Sequence, residues 1–130
     1  MAIQVGEKIP DVTIKTSGMQ DISTGELCAG KKVVIFSVPG AFTPTCSEQH
    51  FPGFIRHAAD IKAKGVDVIA CMSVNDSFVM DAWAKDRGAG DDITLLADGN
   101  AEFAKALGLE MDGTGIGFGT RAQRFALVIE

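Results

Sequence analysis

The chain has 130 residues, 46% of them hydrophobic and 22% charged, with a net charge of −5 and three cysteines. That length suits one domain spanning residues 1–130 with a real core, and the apolar content argues against disorder. The acidic balance argues against general nucleic-acid binding, no apolar run reaches membrane-spanning length, and an odd cysteine count after an N-terminus that reads as no signal peptide points to a reducing cytoplasm.

Residues 11–15 alternate and predict a short edge strand. Residues 17–30 hold three glycines among polar residues and read as a loop with turns. The run VVIFSV at 33–38 is continuously apolar, as in a strand buried on both faces. A helix is expected over 47–64, with Phe51, Phe54, Ile55, Ala58, Ala59 and Ile61 near helical spacing and Pro52 marking a kink or a late regular start. Gly65 fits the position just past its end. Residues 66–73 form the next strand. Asp76 caps a helix through Arg87, with Phe78, Val79, Ala82 and Trp83 as its apolar face. Residues 93–96 are a strand, Asn100 caps a short helix stopped by Gly108, and 124–129 is the last strand. Alternating strands and helices predict an α/β fold: a partly parallel sheet with helices on both faces, and function at the carboxyl ends of the strands.

The stretch VPGAFTPTC, residues 38–46, lies at one such end. Cys46 precedes the expected helix, where unpaired N–H groups and the helix dipole lower a thiol pKa. Pro39 and Pro44 stiffen the loop, and Thr43 stands three residues before the cysteine, within reach in a first helical turn. On these residues alone two readings stay open. Cys46 is a nucleophile, or it is a buried small hydrophobe with Thr43 as a helix cap.

The pattern Pro39-x-x-x-Thr43-x-x-Cys46 resembles the peroxiredoxin signature. The longer string VPGAFTPTCSEQHFPGF, with SVND at 73–76 and LLAD at 95–98, resembles the peroxiredoxin 5 or type II group over nearly the whole chain. The resemblance implies a thioredoxin-like fold, with a central mixed sheet flanked by helices, and reduction of hydroperoxides with no cofactor and no metal. Cys46 matches the peroxidatic thiol, Thr43 the residue that positions the peroxide and Pro39 the residue that shields the sulfur. Arg124, before Phe125 in TRAQRF, matches the family arginine that stabilises the thiolate and the departing oxygen; Arg121 lacks that match. The implied reductant is glutathione with glutaredoxin, or thioredoxin. A homodimer is implied too, through loops around Phe42 and the region of Trp83.

Cys71 falls where relatives have been proposed to carry a resolving cysteine, but a thiol inside a strand must move far to meet Cys46, and a buried structural role is favoured. Cys28 matches no family redox position. His50 follows Cys46 by four residues and lies on the same helix face, as a base, a second cation or a pocket residue. The spacing His50-x6-His57 is no recognised metal pattern. GTGIGFG, 113–119, fails the dinucleotide fingerprint at Phe118 and follows no expected strand. The resemblance makes it a loop whose Ile116 and Phe118 wall the site mouth. It also implies a further strand and helix beyond Glu130, apparently missing here, and a loop at 16–21 shorter than in most relatives. Besides an enzyme, the chain reads as a peroxide sensor that passes oxidation to a partner, or as an inactive fragment.

Overall fold

The computed structural model describes residues 2–43, 51–89 and 92–130. Strands β1 (Thr13–Lys15), β2 (Asp21–Ser23), β3 (Val33–Ser37), β4 (Val68–Ser73), β5 (Ile93–Ala97) and β8 (Phe125–Ile129) form one sheet in the order β2-β1-β5-β4-β3-β8. Its centre is parallel, because β3 and β5 each reach β4 through a helical crossover. The flanks are antiparallel, β8 on β3 and β1 on both β5 and β2. Strands β3 to β5 are the apolar runs of the sequence, and these central strands are buried on both faces.

One face packs α2 (Phe51–Ala63) and α3 (Ser77–Asp86) on Phe36, Val38, Ile69 and Cys71; Phe36 stacks on Phe54 at 3.8 Å between ring centres, and Phe51 lies 4.1 Å from Trp83. The opposite face packs α4 (Glu102–Leu107) and the cysteine end of α1 (Thr24–Cys28) on Ile14, Ile35, Met72 and Leu96. Strands β6 (Glu110–Asp112) and β7 (Thr120–Ala122) make a separate antiparallel hairpin.

Several expectations need correcting. β1 is an inner strand, because 17–30 is no mere loop: it holds a 3-10 turn (Ser17–Met19), β2 and α1, and β2 takes the edge. The apolar face of α3 is rotated toward Met80, Trp83 and Ala84, and Phe78 is 71% exposed. Trp83 is wholly buried, so its own side chain belongs to the core. Asn100 does not cap α4. The residue before that helix is Ala101 in the left-handed region (φ 59), and the buried Asp98 carboxylate instead accepts from the N–H groups of Phe103 and Ala104 at 3.0 and 2.8 Å. GTGIGFG does follow a strand, β6, but it turns back into β7 rather than into a helix, so it remains no dinucleotide loop. Asp76 caps α3 as expected, accepting from Val79 N–H at 2.9 Å.

Candidate active site

β3 ends at Ser37, and the chain leaves the sheet through Val38 to Thr43. Val38 N–H still reaches the Met72 carbonyl at 3.1 Å, so the departure is anchored to β4. Ala41 N–H then donates to Asn75 Oδ1 at 3.0 Å, and Ser73 Oγ shares that oxygen at 2.6 Å. The SVND stretch therefore holds the loop from the end of β4. The Thr43 hydroxyl donates to the Gly40 carbonyl at 2.7 Å, which closes the loop into a tight turn. At its apex Phe42 has φ +64 and is 49% exposed. A bulky residue there is backbone strain that the surrounding hydrogen bonds must hold.

Two arginines reach this end of the sheet from the last quarter of the chain. Arg124 precedes β8. Its neighbours are tied to the fully buried Ser37: the Ser37 hydroxyl donates to the Gln123 carbonyl, and Phe125 N–H donates to Ser37 Oγ at 3.2 Å. Register pairs Phe36 with Ala126, and strand alternation then puts Arg124 on the sheet face that α2 covers. Its side chain is exposed. Arg121 is half-buried: its Nη1 donates to the Pro39 carbonyl at 3.1 Å and its Nε to the Phe118 carbonyl at 3.0 Å, with the guanidinium carbon 4.8 Å from the centre of the Phe118 ring. Ile116, at the tip of a 3-10 turn (Thr114–Ile116), is 69% exposed.

Pro39, Phe42, Thr43, Arg124 and Phe118 thus gather around one strand end, while Cys46 and His50 lie outside the described residues. Cys71 sits in the middle of β4 with no exposed surface, between Phe36 and Leu95. Cys28 is buried on the opposite face, and burial pushes its thiol pKa up, away from nucleophilic use. Among the described residues no group of three or more His, Cys, Asp or Glu stands together to hold a metal ion, and no helix is long and apolar enough to cross a membrane. Sequence reasoning missed Asn75, Ser37 and Arg121. Only SVND carried a signal, as a motif without an assigned role.

The family model described as Redoxin matches residues 4–130. The chain is 48% identical to Peroxiredoxin-2E, chloroplastic, of Arabidopsis thaliana over 99% of its own length, yet it spans only 58% of that protein. It is 49% identical to Peroxiredoxin-2B of the same plant, over 98% of this chain and 82% of the relative. Among solved structures, reduced Prx3 of Vibrio vulnificus in complex with hydrogen peroxide superposes with a TM-score of 0.93 at 55% identity, covering 98% of this chain and 82% of that one.

Proposed function

The chain belongs to the Redoxin family and, within it, to the type II or peroxiredoxin 5 group, and from that premise we propose that it is a thiol peroxidase acting through Cys46. The Cys46 thiolate attacks the terminal oxygen of a hydroperoxide. The O–O bond breaks, the sulfur becomes a sulfenic acid, and the other oxygen leaves as water or an alcohol after taking a proton. Two reductant thiols return the two electrons and release water. Thr43 positions the peroxide, Pro39 keeps bulk water from the sulfur, and Arg124 stabilises charge on the thiolate and the departing oxygen. The observation that supports this reading is the ordered strand end. The loop that leads toward Cys46 is pinned by Asn75, and the backbone on either side of Arg124 is tied to Ser37 at the same strand end.

The exposed, apolar Ile116 and the half-buried Phe118 suit organic hydroperoxides as well as hydrogen peroxide. Glutathione with glutaredoxin, or thioredoxin, is the proposed reductant. A reducing compartment such as the cytoplasm suits the buried thiols of Cys28 and Cys71, although the relative Peroxiredoxin-2E is a chloroplastic protein. A homodimer through Phe42 is part of the proposal, as is one domain over 1–130. Cys71 is assigned a structural role and His50 a place in the pocket.

The test is steady-state consumption of hydrogen peroxide with each reductant in turn. Cys46→Ser is expected to abolish turnover, and Cys28→Ser to leave it nearly intact. Equal losses from the two changes would overturn the assignment. Oxidation without recycling by any donor would favour the sensor reading.

A further inference from the structure

Arg121 has no part in the reaction as described above, yet it joins the two loops of the site. Its planar fork holds two distant backbones at once, the Pro39 carbonyl through Nη1 and the Phe118 carbonyl through Nε, and it lies over the Phe118 ring. A lysine could reach one carbonyl but could not bridge both in a fixed plane. Gly40 is matched to this arrangement. A Cβ at position 40 would stand 2.6 Å from Arg121 Nη1 and 3.1 Å from the Thr43 methyl. Gly40 is not among the residues of positive φ, so its missing side chain serves the close approach rather than the turn.

The loop that Arg121 grips is otherwise held by its own local hydrogen bonds. Residues 113–119 contain four glycines, two of which, Gly117 and Gly119, take positive φ. Its hydrogen bonds are mostly internal, from Phe118 N–H to the Gly113 carbonyl at 2.9 Å and from Gly113 N–H to the Gly119 carbonyl at 2.7 Å. Among the described residues, Arg121 ties it to the segment that leads toward Cys46.

We propose that Arg121 is a positioning residue for the peroxidase reaction: it locks the 39–43 backbone, and with it Thr43, to the glycine-rich loop whose Ile116 and Phe118 form the mouth. This rests on the reading of Cys46 as the peroxidatic thiol. Without the clamp, the two loops must be ordered at each encounter with a peroxide. The cost appears in the rate, because small misplacements of a positioned group are expensive.

The experiment compares wild type, Arg121→Ala, Arg121→Lys, Gly40→Ala and the Gly40→Ala/Arg121→Ala double variant. Arg87→Ala, at the far end of α3 beside Asp86, is the control for loss of an arginine. Three quantities are read: the second-order rate of Cys46 oxidation by hydrogen peroxide, the Cys46 thiol pKa, and amide hydrogen exchange over 40–43 and 116–119. Arg121→Ala is expected to slow oxidation on the order of 10- to 100-fold and to speed exchange in both loops. It should move the thiol pKa less than Arg124→Ala does. Arg121→Lys should recover part of the rate. Gly40→Ala pushes the guanidinium aside, so its loss should largely vanish in the Arg121→Ala background, apart from what it does to Thr43. A wild-type rate in Arg121→Ala overturns the proposal, as do additive losses in the double variant. So does a loss matched by the rise in thiol pKa with exchange unchanged, since that is a charge effect. If Arg121→Ala does not fold, Arg121→Lys and Gly40→Ala decide. If wild type consumes no peroxide, or Cys46→Ser is as active, the functional reading fails, and exchange still reports whether the clamp exists.

Discussion

If Arg124 acts as proposed, on the thiolate and the departing oxygen, removing its guanidinium takes away a charge-assisted hydrogen bond and a cation. The expected cost of about 1.5–3 kcal/mol is a rate loss of roughly ten- to a hundred-and-fifty-fold, read as the second-order rate of Cys46 oxidation. Arg124→Lys should fall between wild type and Arg124→Ala, because it keeps the charge and loses the fork. Cys71→Ala should keep most turnover with glutathione and glutaredoxin, since the thiol sits wholly buried in a central strand. A Cys46–Cys71 disulfide in the mass spectrum of oxidised protein, with turnover lost, would make Cys71 the resolving thiol instead. At this scale the sequence was legible where chemistry is local. Pro39 and Thr43 stand in one motif with Cys46. Asn75, Ser37 and Arg121 act across 34, 86 and 82 positions, to Ala41, Gln123 and Pro39. No spacing rule foretells a side chain that meets a backbone so distant in the chain.

Helix α4 shows how an element can be recognised while its anchor is misread. The stop at Gly108 was legible, since glycine takes the left-handed cap (φ 71) at no steric cost. The start was misassigned because Ala101 also turns left-handed, and that carries the cap back to Asp98. Asp98→Ala is therefore expected to cost about 1–2 kcal/mol in a urea unfolding curve, and Asn100→Ala far less. The titration of Asp98 has a definite sign. Burial pushes its carboxyl up from the ordinary value of 3.8, against the Phe103 and Ala104 N–H groups that hold it down. A raised carboxyl favours the protonated native state. Its contribution is full below pH 3.8 and is lost as pH rises through the folded value. Asp11 has the opposite sign, lowered by the Ser23 hydroxyl and the Gly25 N–H, so its contribution is lost as pH falls below 3.8. The stability difference between wild type and Asp98→Asn, followed by urea midpoint from pH 3 upward, should shift against wild type as pH rises. A flat difference would contradict the raised value. The long apolar strands were legible for the same reason that they are central. The short β2 and α1 were not, because three-to-five-residue elements in a glycine-containing stretch leave no periodicity to read.

For the molecule as a whole, the exposed aromatics are the candidates for the proposed dimer interface, on the Phe42 loop and in the region of Trp83. Phe42 and Phe78 are 49% and 71% exposed. Phe42 stands in the loop that Ala41 N–H ties to Asn75, and Phe78 in the first turn of α3, which begins two residues after Asn75. Exposed aromatics of this kind suit the proposed dimer interface. Phe42→Asp or Phe78→Asp should shift sedimentation from dimer toward monomer at micromolar concentration; wild type that sediments only as monomer would remove the dimer from the proposal. Trp83 serves another purpose. It is the sole tryptophan in a chain without tyrosine, so ultraviolet-excited emission comes essentially from one indole. That indole is sealed from solvent with its ring against Phe51, five residues after Cys46. An oxidation that pulls Phe51 away would admit water to the indole and redden its emission. Titration with peroxide should then break at about one equivalent per chain if a single thiol is consumed. The aromatic pair is in effect an optical gauge five residues along the chain from the proposed nucleophile, readable without any label.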